Sequence, residues 1–288
     1  MPADCIVGAV GIAVRTIAPY IKNKLVDPAV LSVDEGGNFV IPLLSGHIGG
    51  ANGFAKVLAK VIKATPVVTT ATDVNKLFAV DEWAARNNMI INSMKAAKDF
   101  AAALVDGQEV GLFTDYPIIS ALPRQIVLKD KGVTGLAITK NRNVNPFDLT
   151  VQLWPRNIYL GIGCRRGTTL ESIETLVLPK LKELGIDLRT IVGVASVDLK
   201  KDEAGLLNFA AKYNWEISFF TAEELQNAAG EFSSSDFVKS VVGVSNVCER
   251  SAVLAANNGS IISSKCSLNG VTLAVAEADI VLDFEKLS

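Results

Sequence analysis

Short apolar runs rich in β-branched residues alternate with amphipathic stretches along the whole chain, and that alternation constrains the fold more than any other feature. Runs of period two that feed stretches of period 3.6 favour α/β layering, with helices laid on the faces of a sheet. Strands are expected at 5–10, 29–33, 39–44 and 66–69, with helices at 12–21 and 54–63. Asp34-Glu35-Gly36-Gly37, between the second and third strands, is a strong turn signal. Helices at 79–87 and 93–105 then precede strands at 109–114, 136–139 and 149–153.

The pattern breaks at Trp154-Pro155-Arg156-Asn157, because proline cannot donate to a sheet ladder, and it restarts with an apolar strand at 158–162. Helix starts are expected where Thr168 precedes Glu171, Thr221 precedes Glu224 and Asn246 precedes Glu249, the spacing of a capping box. Strands at 260–264 and 271–276 around Asn269-Gly270 form a tight turn at the end. A length of 288 residues suits roughly two domains of ~150 residues. The expectation is an open, mostly parallel three-layer α/β domain over 1–155, then a smaller α/β domain with a mixed sheet over 156–288.

Composition removes several function classes. With 49% hydrophobic and 20% charged residues the chain is no disordered polymer, and 28 basic against 30 acidic side chains leave no electrostatic footprint for nucleic acid. No run approaches the ~20 apolar residues of a membrane span, and the start lacks the basic region of a signal peptide, so the expected setting is the cytoplasm with reduced thiols. Cys5, Cys164, Cys248 and Cys266 are scattered and His47 is the only histidine, a pattern that argues against a zinc or haem motif.

His47 lies in Ser45-Gly46-His47-Ile48-Gly49-Gly50-Ala51-Asn52, a glycine-rich loop between a strand and a helix. Such a loop aims backbone N–H groups and the positive end of the helix dipole at a carboxylate or phosphate. It matches neither nucleotide fingerprint, and a plain tight turn is an equal reading. The next strand ends in Thr69-Thr70-Ala71-Thr72-Asp73. If the two strands are neighbours, the Thr70 and Thr72 hydroxyls and Asp73 share a crevice with His47 at the carboxyl end of the sheet; otherwise Asp73 caps a helical turn. Asp81 and Glu82 read as a solvated helix face. In the second half, Gly161-Ile162-Gly163-Cys164-Arg165-Arg166-Gly167-Thr168 repeats the strand, glycine-rich loop and helix, with two arginines that either grip carboxylates or solubilise the loop. Cys164 and Cys248 read as small buried residues.

Leu43-Leu44-Ser45-Gly46-His47-Ile48-Gly49-Gly50-Ala51-Asn52, Thr69-Thr70-Ala71-Thr72-Asp73 and Phe78-Ala79-Val80-Asp81-Glu82-Trp83-Ala84 resemble the cobalamin-biosynthesis protein G family. Gly161-Ile162-Gly163-Cys164-Arg165-Arg166-Gly167 and Gly270-Val271-Thr272-Leu273-Ala274 resemble that family's C-terminal domain. The resemblance implies a cobalt-precorrin-5A hydrolase, which opens a δ-lactone and releases acetaldehyde to give cobalt-precorrin-5B. It implies His47 for proton transfer and Asp73 to orient it. Ser45, Gly46, Gly49, Gly50, Ala51, Asn52, Thr70 and Thr72 would hold the substrate or its oxyanion, and Arg165 and Arg166 its carboxylates. No cofactor is expected, because cobalt arrives in the tetrapyrrole substrate. Other cobalamin-pathway enzymes and a second copy of the chain are the candidate partners, with no nucleic acid and no membrane among them. Family members usually carry a further segment of several tens of residues before the part matching 5–15, so a sheet short of one strand and helix is expected. Two other readings stay open: a non-catalytic tetrapyrrole carrier, and an unrelated hydrolase that uses Ser45 as nucleophile.

Overall fold

The computed structural model describes residues 3–23, 26–46, 49–70, 77–140, 143–228, 230, 232 and 246–285. Two compact units emerge, Met1–Trp154 with Leu282–Ser288, and Pro155–Val281. Both are α/β.

The first unit begins with a four-stranded sheet in the order β1 (Ala3–Val7), β2 (Ala29–Val33), β3 (Phe39–Leu44) and β4 (Thr65–Pro66). Helices α1 (Val10–Ile17) and α2 (Ala51–Ile62) supply the crossovers for the parallel pairs β1–β2 and β3–β4. The expected turn reverses the chain, so β2 and β3 run antiparallel. Its hinge is Asp34, whose carboxylate accepts from the Phe39 N–H at 2.6 Å and from the Asn38 amide at 3.0 Å. The Phe39 N–H in particular holds the Asp34 carboxyl below its usual range. On α2 the alanines 51, 55 and 59 are fully or almost fully buried against Leu31, Val33 and Val40. Four-residue spacing puts them on one face, and their small size lets the helix lie close to the sheet. The strand expected at 66–69 contracts to β4, a sheet edge where Pro66 is tolerated.

The unit's remaining strands form a separate sheet, β5 (Met89–Ile91), β9 (Phe147–Pro155), β8 (Gly132–Ile138), β6 (Val110–Thr114) and β7 (Ile126–Leu128), in that spatial order. The pairs β9–β8, β8–β6 and β6–β7 are parallel. Helices α3 (Val80–Arg86) and α4 (Met94–Val105) belong to it, and the Ser93 hydroxyl caps α4 by accepting from the Ala96 N–H at 3.2 Å. The tail from Leu282 packs here as well: Phe284 stacks on Trp83 with ring centroids 4.6 Å apart.

The second unit has the expected mixed sheet, in the order β12 (Glu216–Phe220), β11 (Ile191–Val197), β10 (Ile158–Cys164), β14 (Val271–Glu277) and β13 (Ser260–Leu268). The pairs β10–β11 and β11–β12 are parallel, whereas β14 runs antiparallel to both β10 and β13. Period-two alternation sorts its two faces. Val271, Leu273 and Val275 share a core with helices α5 (Leu170–Glu183) and α6 (Ala204–Lys212). The intervening Ala274 and Ala276 lie with α8 (Val247–Ala255) on the other face. The short helix α7 (Ala222–Gln226) opens with the expected capping box of Thr221 and Glu224, and Asn246 caps α8. The first helix start is displaced by one residue. Thr169 caps α5, while the Thr168 hydroxyl turns back to the Arg165 carbonyl.

Candidate active site

The loop between β3 and α2 is tied to itself by its own polar groups. Ser45 adopts φ +55°, and its hydroxyl donates to the Asp27 carbonyl at 2.8 Å. The Ser45 carbonyl accepts from the Ala51 N–H at 3.2 Å, and the Gly46 carbonyl from the Asn52 N–H at 2.9 Å. A Cβ at Gly49 would overlap the Ser45 side chain, and Gly50 sits at φ +83° as the residue that starts α2, so both positions demand glycine. The Ala51 N–H is therefore engaged within the loop. Among the described residues the Gly49 and Gly50 N–H groups meet no acceptor, and they remain as donors at the start of the helix.

Asn52 is 2% exposed, and its amide donates to the Thr70 hydroxyl at 3.0 Å. This bond joins the glycine-rich loop to the Thr69-Thr70 segment that follows β4, and β4 pairs in parallel with β3. The neighbouring-strand condition set by the sequence is met. Ser45, Gly46, Gly49, Gly50, Ala51, Asn52 and Thr70 come together in this region, whereas His47, Thr72 and Asp73 lie outside the described residues. Buried and bonded to Thr70, Asn52 ties the loop down from beneath.

In the second unit the loop after β10 holds two different arginines. Arg166 bonds to the Asp202 carboxylate at 2.6 Å and to the Leu199 carbonyl at 3.2 Å on the surface. The Arg165 N–H donates to the Gly270 carbonyl at 3.2 Å, and its guanidinium has no acidic partner among the described residues. The carboxylate of Glu203, 4% exposed, accepts from the Gly167 N–H at 2.8 Å. Sequence pattern did not single out Glu203; the one signal was an acid directly before a helix start. Gly161 and Gly163 lie inside β10, so only Gly167 of these glycines belongs to the loop.

Family models agree along the chain. One described as Cobalamin synthesis G N-terminal matches residues 3–73, Cobalamin biosynthesis central region matches 78–155, and Cobalamin synthesis G C-terminus matches 158–276. The cobalt-precorrin-5A hydrolase of Salmonella typhimurium is 36% identical over 285 residues, spanning 94% of this chain and 81% of that protein. The cobalt-precorrin-5A hydrolase of Priestia megaterium is 32% identical over 289 residues, spanning 94% of this chain and 77% of that protein. The chain belongs to the cobalamin-biosynthesis protein G family.

A solved cobalamin-biosynthesis protein G homologue from Sulfolobus solfataricus aligns with a TM-score of 0.40 at 25% identity, over 96% of this chain and 82% of that one. As a member of this family, the chain is an enzyme of hydrolase type in cobalamin synthesis. Among the described residues no helix is long and apolar enough to cross a membrane, and no three His, Cys, Asp or Glu side chains gather as metal ligands. Burial pushes the Cys164 thiol above its usual range and the Cys248 thiol up to about 11.

Proposed function

We propose that this enzyme hydrolyses the δ-lactone of cobalt-precorrin-5A and releases the two-carbon unit as acetaldehyde, leaving cobalt-precorrin-5B. The observation that carries this reading is the near-complete alignment with proteins named cobalt-precorrin-5A hydrolase. The Asn52–Thr70 bond supports it by tying together the two loops that flank His47 and Asp73 in sequence. Cobalt belongs to the substrate's macrocycle.

Water adds to the lactone carbonyl carbon, and the ring oxygen leaves with a proton, giving a carboxylic acid and an alcohol. His47 takes the proton from water and returns one to the leaving oxygen, with Asp73 orienting its ring. The Gly49 and Gly50 N–H groups stabilise the tetrahedral oxyanion, helped by the start of α2, with the hydroxyl of Thr70 or Thr72 as a further donor to it or to a substrate carboxylate. The freed alcohol then loses its proton, its carbon–carbon bond breaks, the electron pair enters the macrocycle, and acetaldehyde departs. Arg165 binds a peripheral carboxylate, while Arg166 is committed to Asp202. The donation of the Ser45 hydroxyl to Asp27 weighs against a serine nucleophile.

Incubation with cobalt-precorrin-5A under an acetaldehyde assay tests the proposal. The unaltered chain is expected to release acetaldehyde, and His47→Gln to lose it by on the order of a hundredfold or more. Full-rate release by His47→Gln removes the histidine from the chemistry. Tight binding without release by the unaltered chain identifies a carrier instead.

A further inference from the structure

The loop that bears Arg165 rests on the first turn of α6, and one buried carboxylate fastens it there. Glu203 stands where α6 would be capped, yet its side chain makes no capping bond to the helix. One oxygen instead accepts from the Gly167 N–H at 2.8 Å, and the other has no hydrogen bond, with the Lys200 ammonium 3.5 Å away. A carboxylate that is 4% exposed carries a desolvation cost, and stabilising α6 would be better served by bonds to the helix's own N–H groups. The loop backbone also lies against Gly205, where a Cβ would overlap the Thr168 carbonyl oxygen. Arg166 is drawn to the same segment through Asp202 and Leu199. On the other side the Arg165 stem lies so close to Gly270 that a Cβ there would sit 2.8 Å from Arg165 Cδ. Gripped from both sides, the loop leaves one guanidinium available.

We infer that Glu203 is a positioning residue for substrate binding, which sets the Arg165 guanidinium through its bond to the Gly167 N–H. This rests on the reading of Arg165 as the group that takes a substrate carboxylate. Glu203 touches no substrate, so its loss weakens binding without altering the chemical step.

Kinetics of the 288-residue chain with cobalt-precorrin-5A test it with Arg165→Ala, Glu203→Ala, their double variant and Glu203→Gln. Arg165→Ala is expected to raise KM on the order of tenfold with kcat nearly unchanged. Glu203→Ala is expected to reproduce that split, the double variant to be no worse than Arg165→Ala, and Glu203→Gln, which keeps an oxygen for Gly167, to recover most of the loss. An unchanged KM in Arg165→Ala overturns the reading of Arg165 and the inference with it. A raised KM there, with Glu203→Ala either unchanged or additive in the double variant, overturns the inference alone. Should Glu203→Ala fail to fold, Glu203→Asp keeps the charge one methylene short of Gly167, and it must then raise KM; an unchanged KM overturns the inference.

Discussion

Asn52 belongs to the glycine-rich loop and also ties that loop to its neighbour. The sequence placed it in a ligand loop, and its burial makes it the tie between that loop and Thr70. Asn52→Ala is expected to lower stability by about 1–3 kcal/mol, read as a shift in denaturation midpoint, and to slow acetaldehyde release because the flanking loops are no longer joined. A variant with unchanged midpoint and rate would show that the bond does nothing. Cys248 is buried, as its sequence reading expects. A thiol near a helix start can have a lowered pKa, but burial dominates here and lifts it to about 11. The folded chain thus keeps a proton that the unfolded chain releases near the ordinary thiol value of 9.0. Stability from this group is complete below that pH and falls as pH rises towards about 11, by roughly 2–3 kcal/mol in all. Denaturation midpoints measured across this window should decline less steeply in Cys248→Ala; an identical decline would assign the alkaline loss to other groups.

At the scale of elements, hydrophobic period located most strands and helices but missed β5, β7, β11 and β12, and glycine was the ambiguous letter. Strands 29–33 and 39–44 appear at their expected positions because alternation and the Asp34 turn agree locally. Gly161 falls in the expected strand 158–162 but also opens the glycine-rich motif that runs to Thr168, since glycine marks both close ligand approach and close backbone packing. In the structure Gly161 is mid-strand, and a Cβ there would overlap the Cys248 carbonyl at the start of α8. Its neighbours on that face, Ala274 and Ala276, are small for the same reason. No local pattern reveals this, because the partner helix lies over 80 residues away in sequence. Gly161→Ala is expected to push α8 off the sheet at a cost of about 1–3 kcal/mol or more, seen as a lowered melting temperature of the second unit. Gly167→Ala strains a loop residue at φ +74° with open space around it, and should cost less. Equal losses at the two sites would contradict a packing role for Gly161.

For the whole molecule, the chain crosses between its units twice, once at Trp154–Pro155 and again at Val281–Leu282. The return depends on a short tail. Leu282 exchanges backbone bonds with Pro117 and Ile119, the Phe284 N–H donates to the Ser120 hydroxyl at 2.7 Å, and the Trp83 indole donates to the Asp283 carbonyl at 3.0 Å. Phe78, Trp83 and Phe284 form one aromatic cluster, all 9% exposed or less. Nothing in the tail's own sequence announces this, since Leu282 and Phe284 are two apolar residues among acids and their meaning comes from Trp83, some 200 positions earlier. The tail is therefore part of the first unit's core, and damage to it should be felt there. Phe284→Ala, which leaves Trp83 without its stacked partner, is expected to cost about 3–5 kcal/mol in the first unit. Hydrogen exchange separates local from global effects: the Ile119 amide, bonded to the Leu282 carbonyl at 3.0 Å, should lose protection in Phe284→Ala. Amides in β10 and β14 of the second unit should keep theirs. Protection lost equally in both units would mean that the tail stabilises the chain as one cooperative body, and protection lost in neither would mean that the aromatic stack is dispensable.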